Sequence, residues 1–406
     1  MSALAGLPAR AIVRGIAAAA ARWSDGDFPP RVRVLERIAS RTGYSVPVVE
    51  YALDRLFLSV TPDALETVIG TELGSIDALD GFTGRGATRN RAMPVGSVCV
   101  ISSRTTIGVA LVPAIFALCA KCDVLVKDRE DSFVQAFFET LADEDDRFAQ
   151  AARAQAWSSR DADVPDLQAF DAVTAFGTDR TLAQIAAACT SGARFTGFGS
   201  RVSAGYLTRE TLLDLPSATA AAEGAARDLI LYEGEGCLSL HVLFAEDTSR
   251  PAFDRFAQLL YAAIERAAIE FPAGTLEPHR AAAVLEHHRL HAFRAANGKG
   301  NLLARPGAHA LLLDPPSGDP PAFLPRTLSM HAVEHPDGAL AYLRAHALPL
   351  EGFAVSSQRA DVVEMVLQSG AARLAHFGEL QDPPLTAHHG GQPRISGFVR
   401  WIDASR

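Results

Sequence analysis

One stretch limits the folds open to this chain more than any other. Val98-Cys99-Val100-Ile101 is a short β-branched run, Ile107 to Leu118 is mostly apolar, and Val124-Leu125-Val126 is a second β-branched run. Strand, apolar helix and strand in such close succession form a βαβ unit. Its two strands lie parallel and its crossover is right-handed. Parallel strands need helices on both faces, which commits the chain to a layered α/β architecture. The alternation continues with a helix from Phe133 to Leu141 and a strand over Ala172–Phe176 that runs into Gly177-Thr178. Residues 181–189 read as a further helix, so a doubly wound sheet is expected. Serines and threonines in Ser102-Ser103-Arg104-Thr105-Thr106 are placed to cap the helix after the first strand.

In sheets of this kind ligands gather at the carboxyl ends of the strands. Those ends carry Ser103 and Arg104 with Thr105, Lys127 with Glu130, and Gly177 with Thr178. The usual dinucleotide fingerprint G-x-G-x-x-G is absent, which argues against an ordinary Rossmann dehydrogenase. The glycine-rich Asp80–Gly86 segment neither follows a strand nor opens a helix and reads as a surface loop.

The 406 residues exceed a single typical domain, and the alternation of strands and helices resumes after residue 200. Strand-like segments fall at Val202–Leu207 and Gly352–Ser357, and helical ones at 219–227, Ala252–Ile269, Leu340–Leu348 and Val362–Leu367. A net charge of -9 and the lack of a concentrated basic patch exclude a nucleic-acid partner. Five irregularly spaced cysteines suit a reducing cytosol, so a cytoplasmic protein is expected. Arg10, Arg14 and Arg22 interrupt the alanine-rich N-terminus, which reads as an amphipathic helix rather than a signal peptide. No apolar run reaches the length of about 18 residues that a membrane span needs.

Tyr232-Glu233-Gly234-Glu235-Gly236-Cys237-Leu238-Ser239 lies between the apolar Leu229-Ile230-Leu231 and the strand-like His241–Phe244. Two glycines before a cysteine permit a tight backbone that presents the thiol. Such a thiol is either a nucleophile or a small core residue. Glu235, two residues earlier, would raise the thiol pKa or could shuttle its proton. Cys119 and Cys122 lack the second ligand pair of a zinc site and read as packing residues, as do Cys99 and Cys189. His287 and His291 share a helical face but no complementary ligand is evident, so a solvated helix and no metal site are expected.

From about residue 85 onward these stretches resemble the aldehyde dehydrogenase superfamily, and within it the bioluminescence-type long-chain fatty acyl-CoA reductases. The series that carries the resemblance is Met93-Pro94-Val95-Gly96, Lys127-x-x-Glu130, Phe176-Gly177-Thr178 and Cys237. It ends with the segment from Arg373 through Gly378, Pro383-Pro384 and His389-Gly390 to Val399-Arg400-Trp401. The resemblance implies an N-terminal helical region over 1–85, packed on a nicotinamide-cofactor domain over 86–210. It further implies a catalytic α/β domain over 211–375 and a closing segment over 376–406. It makes Cys237 the nucleophile, gives Lys127 and Glu130 to the adenosine ribose and Gly177-Thr178 to the cofactor phosphates, and brings His389 to the site as a general acid or base.

An acyl-CoA or acyl-carrier-protein thioester would be the substrate, NADPH the cofactor with NADH as an alternative, and the protein a homo-oligomer. Two departures stand out. The superfamily's oxyanion asparagine is replaced near Thr105, which leaves open a catalytically impaired or acyl-transferring relative. Gly197-Phe198-Gly199-Ser200-Arg201, where hydrolytic members carry a glutamate base, holds no carboxylate. Loss of a water-activating base favours thioester reduction over aldehyde oxidation.

Overall fold

The computed structural model describes residues 2–84, 88–103, 106–129, 132–158, 164–247, 250–316, 318–319 and 321–405. The chain forms two compact units, one comprising 1–42, 49–200 and 384–406, the other 43–48 and 201–383.

The first unit contains strands β1 (Thr88–Pro94), β2 (Ser97–Ile101), β3 (Asp123–Lys127), β4 (Ala152–Gln155), β5 (Ala172–Phe176) and β6 (Arg194–Phe198). Strands β2 to β6 make a five-stranded sheet in the order β4-β3-β2-β5-β6, and every pairing is parallel. Val98, Cys99, Val100 and Val173 are fully enclosed, as expected of strands covered on both faces. The apolar helix of the βαβ unit runs over Leu111–Cys119, starting four residues later than its hydrophobicity predicts. Gly108 explains the delay. Its φ of 71° is left-handed, and a Cβ there would sit 2.5 Å from Leu56 Cδ2. The helix therefore opens at Ala110 without a side-chain cap.

The N-terminal helices share a core with the helix Phe133–Glu144. Trp23, which is fully buried, meets Phe57 at 5.2 Å and Phe133 at 5.5 Å between ring centroids, and its indole N–H donates to Thr140 Oγ1 at 3.0 Å. Among the described residues, no helix is long and apolar enough to cross a membrane.

The second unit holds β7 (Val202–Leu207), β8 (Leu240–Glu246), β9 (Asn301–Arg305), β10 (His309–Leu313), β11 (Thr327–Val333), β12 (Leu350–Val355) and β13 (Arg373–His376). Their order is β13-β12-β7-β8-β11-β10-β9, with only the β9–β10 pairing antiparallel. Since β7 belongs to this sheet, the chain crosses between units at residues 200–201 rather than at 210. It returns at 383–384, later than the 376 expected for the closing segment. The last strand, β14 (Val399–Ser405), pairs antiparallel with β1 along its whole length. Glu72 fixes the approach to it by accepting the backbone N–H groups of Arg394, Ile395 and Ser396 at 2.6–2.9 Å.

Truncating the Trp23 indole would open a cavity in that aromatic core and leave Thr140 without its donor. Trp23→Ala is expected to lose about 3–5 kcal/mol of stability, read as a lowered urea midpoint.

Candidate active site

Cys237 follows a helix that ends at Ile230 and precedes β8, so it lies at the amino end of that strand. The connection takes three successive left-handed residues: Tyr232 (φ 54°), Glu233 (φ 58°) and Gly234 (φ 70°). Of the two glycines in the motif only Gly234 uses its conformational freedom in this way. The other strained positions are non-glycine, at a typical expense of about 1–3 kcal/mol each. Glu233, 3% exposed, meets the 2% exposed Arg326 through two hydrogen bonds, Nε to Oε2 at 2.5 Å and Nη2 to Oε1 at 2.9 Å. The same carboxylate accepts the Gly274 N–H at 2.9 Å, and Arg326 donates again to the Phe271 carbonyl.

The parallel register brings other residues to the same sheet edge. Ser203, on β7 and completely buried, donates from Oγ to the Cys237 carbonyl at 3.0 Å and accepts the Gly352 N–H at 2.9 Å. That one hydroxyl ties the cysteine loop to β7 and β12. Next to Gly352 stands Glu351, mostly buried, 3.6 Å from the Arg201 guanidinium. Burial pushes the Cys237 thiol up to about 12, and the Glu351 carboxylate adds to the rise while Arg201 opposes it. Glu235 is not the carboxylate that acts on the thiol, as its sequence position implies. It pairs with Arg280 at 2.7 Å, and burial raises its own pKa against that pairing. This engagement leaves Glu235 poorly suited to shuttle the thiol's proton.

Behind the loop, Gln381 donates to Ser239 Oγ at 2.9 Å and to the Asp228 carbonyl at 3.1 Å. The buried Asp228 carboxyl accepts from the Gly378 and Leu380 N–H groups, and burial lifts it to about 8.

The proposed cofactor residues belong to the first unit. Lys127 ends β3, largely buried, with Nζ 5.1 Å from the centre of the Trp157 ring. Ser103 follows β2 at its carboxyl end. Thr178 caps the helix Asp179–Ala188 by accepting the Thr181 N–H, and the Gly177 N–H donates to the Phe198 carbonyl. Arg104, Thr105 and Glu130 lie outside the described residues. His389 packs edge-on against Phe176 (5.5 Å) and Phe198 (4.5 Å), and burial lowers it to about 4. A ring that burial keeps neutral at pH 7 in an aromatic pocket is suited to packing rather than to proton transfer. A cavity of about 710 Å3 opens at the carboxyl ends of β3 and β4, lined by Arg37, Ser40, Arg41, Asp128, Arg129 and Ser132.

The sequence profile of the family described as acyl-CoA reductase (LuxC) matches residues 4–401. The chain belongs to the LuxC acyl-CoA reductase family. No curated protein sequence matches it. Solved structures similar to it include a NAD-dependent benzaldehyde dehydrogenase from Corynebacterium glutamicum, with TM-score 0.72 and 13% identity over 99% of this chain and 87% of that one. Aldehyde dehydrogenase 21 from Physcomitrella patens gives 0.73 and 10% over 100% and 86%. Glyceraldehyde-3-phosphate dehydrogenase from Methanocaldococcus jannaschii, complexed with NADP, gives 0.69 and 11% over 99% and 91%. These likenesses establish the aldehyde dehydrogenase fold, and the resemblance drawn from the sequence is borne out at the level of family and fold.

In this LuxC-family chain three further cysteines and two histidines of the helix Pro278–Ala296 are enclosed. Cys99, Cys119 and Cys122 are buried thiols pushed up to about 12, 12 and 11 by burial. His288 and His291 are buried, not solvated, on the helix Pro278–Ala296, and His288 approaches Thr327 Oγ1 at 3.3 Å. Among the described residues no group of three or more ligands could hold a metal. Arg201, Ser203 and Glu351 were not singled out as site residues from the sequence. The only available signal was that Glu351 and Ser203 are polar residues at the starts of otherwise apolar strands.

Two outcomes follow from these electrostatics. Replacing the anion in Glu351→Gln lowers the Cys237 pKa, so half-maximal alkylation by iodoacetamide moves to lower pH. An unchanged profile would contradict the coupling. Asp228 has a folded value raised above the roughly 3.9 of an unfolded aspartate, so its contribution to stability is full below about pH 4 and is lost as pH rises through about 8. Urea unfolding is expected to show lower stability at about pH 9 than at about pH 5, with a flatter dependence in Asp228→Asn.

Proposed function

We propose that this protein reduces an acyl thioester, acyl-CoA in the first instance, to an aldehyde with NADPH through an acyl-enzyme on Cys237. The observation that carries the reading is the thiol itself, held on a strained and anchored loop beside Glu351 in a LuxC-family chain. A core cysteine would need neither the strain nor the charged neighbours. Thiolate formation transfers the Cys237 proton to Glu351, and the sulfur adds to the thioester carbonyl. The CoA thiolate then leaves, taking a proton back, and the acyl group remains on Cys237.

The first unit supplies groups that fit a nicotinamide dinucleotide. Lys127 stands at the carboxyl end of β3, and the nearby cavity is lined by arginines and serines, which suit phosphates and ribose hydroxyls. NADPH, when bound, would supply the hydride that converts the acyl-enzyme carbonyl to a thiohemiacetal, from which aldehyde departs. The segment 197–201 offers no carboxylate to activate water, so the acyl-enzyme is spared hydrolysis.

Mixing the protein with acyl-CoA and NADPH and following nicotinamide absorbance tests the reading. Cys237→Ala is expected to lose at least about 10³-fold in kcat. Hydroxylamine should release an acyl hydroxamate from the parent protein and none from the variant. Acyl hydroxamate without any nicotinamide oxidation would identify the non-reducing, acyl-transferring relative instead. A preference for acyl-carrier-protein over acyl-CoA would identify the donor.

A further inference from the structure

The segment that follows β13 runs back across the second sheet toward its amino edge. Phe377 meets Gly205 in the middle of β7, Leu380 meets Gly352 near the start of β12, and Gln381 reaches Ser239, just before β8. The seat is cut for this strap. A Cβ on Gly205 would lie 2.7 Å from the Phe377 ring, and one on Gly224, in the helix Leu215–Ile230, would lie 2.5 Å from the Phe377 carbonyl. The Asp228 carboxyl of the same helix accepts the Gly378 N–H at 2.7 Å and the Leu380 N–H at 3.2 Å, so the strap is fixed up to the residue before Gln381.

Gln381 stands against the turn that carries the thiol. The Ser239 N–H donates to the Gly236 carbonyl at 2.9 Å, which makes Cys237 and Leu238 the two central residues of that turn. Its last side chain, the completely buried Ser239, accepts from Gln381 Nε2 at 2.9 Å, and the same NH2 group donates to the Asp228 carbonyl at 3.1 Å. A backbone carbonyl only accepts, so the amide atom facing Asp228 is the nitrogen. Oε1 is turned to Gly236, 3.6 Å from the point a Cβ there would occupy. A planar amide with both N–H bonds committed keeps no freedom to rotate. It therefore locks the end of the thiol's turn to the helix that precedes the cysteine loop. We propose that Gln381 is a positioning residue for Cys237, acting through Ser239 to hold the Gly236–Ser239 turn in the geometry from which the thiol reaches an acyl carbonyl. The inference rests on the acyl-enzyme reading for its turnover test but not for its thiol test.

Gln381→Met keeps an unbranched side chain of similar length and removes both donors. Ser239→Ala removes the shared bond from the other side, so either variant carries the test if the other fails to fold. Labelling of Cys237 by iodoacetamide, followed by peptide mass spectrometry, should quicken at least about threefold in each single variant and no further in the double, as for two residues that act through one contact. In turnover with acyl-CoA and NADPH, kcat should fall about 10- to 100-fold in each single variant with KM held within about twofold, and the double variant should match the worse single one. Circular dichroism and a cooperative urea transition should be retained. Unchanged labelling in the single variants, or losses of kcat that multiply in the double variant, would overturn the assignment. A raised KM with unaltered kcat would overturn it too, by making Gln381 a contact of the acyl donor. If the parent protein reduces no acyl-CoA, the proposed function falls and the labelling comparison still decides this inference. If the parent reduces acyl-CoA and both variants match it, this inference falls and the proposed function stands.

Discussion

The buried ion pair between Glu233 and Arg326 is what allows the cysteine loop to exist in its observed form. Two non-glycine residues in left-handed geometry do not persist without surroundings that over-determine them. Here the carboxylate takes three hydrogen bonds, from Arg326 Nε and Nη2 and from the Gly274 N–H. The backbone reciprocates, with the Arg326 N–H donating to the Glu233 carbonyl at 3.0 Å. A buried pair of this kind often gains little stability over an apolar replacement of the same shape. What apolar groups could not supply is direction. The fork geometry of the guanidinium fixes Glu233 in orientation as well as in place, and the chain leaves that point toward Cys237 along one path.

That path ends at the amino edge of a parallel sheet, which explains the company the thiol keeps. Parallel pairing aligns the starts of β7, β8 and β12, so the residues that open those strands become neighbours although they are far apart in sequence. Ser203 is the clearest case, since its hydroxyl bonds to both the cysteine carbonyl and the Gly352 N–H. Gly352 in turn has no room for a side chain, because a Cβ there would lie 2.8 Å from Ser203 Oγ and from Leu380 Cδ2. The hub is therefore built from one small polar residue and one residue with no side chain. In the first unit the arrangement is reversed in polarity: Lys127, Ser103 and the arginine-lined cavity lie at the carboxyl ends of their strands.

Much of this could be read from the chain before its structure was known, and the reasons divide cleanly. The βαβ unit declared itself because a run such as Val98–Ile101 carries its own strand signal, and the crossover rule supplies the rest. Cys237 was visible because its glycines flag an unusual backbone locally. Glu351 was not, since nothing near it in sequence indicates that β12 will pair with β7. The same blindness hid the pairing of β14 with β1, and it made Glu235 seem the thiol's carboxylate when Arg280, from a helix beyond β8, takes it up. The helix start missed its expected capping hydroxyls for a tertiary reason as well, the close approach of Leu56 to Gly108. Local chemistry is legible in a sequence; charge partners brought in by non-consecutive strands and helices are not.

The charge partners decide how the thiol behaves. A thiolate is both the nucleophile and the form that oxidants attack, so a site that keeps it ionised at all times exposes it to damage. Burial and the Glu351 carboxylate act together to hold the Cys237 proton in place. In the proposed mechanism the same carboxylate would take that proton when sulfur begins to bond to carbon. Arg201, 3.6 Å from Glu351, balances the anion so that it can persist at a mostly buried position. In the proposed reaction one acidic residue would thus both restrain the nucleophile and serve it, from a place on β12 rather than in the 197–201 segment.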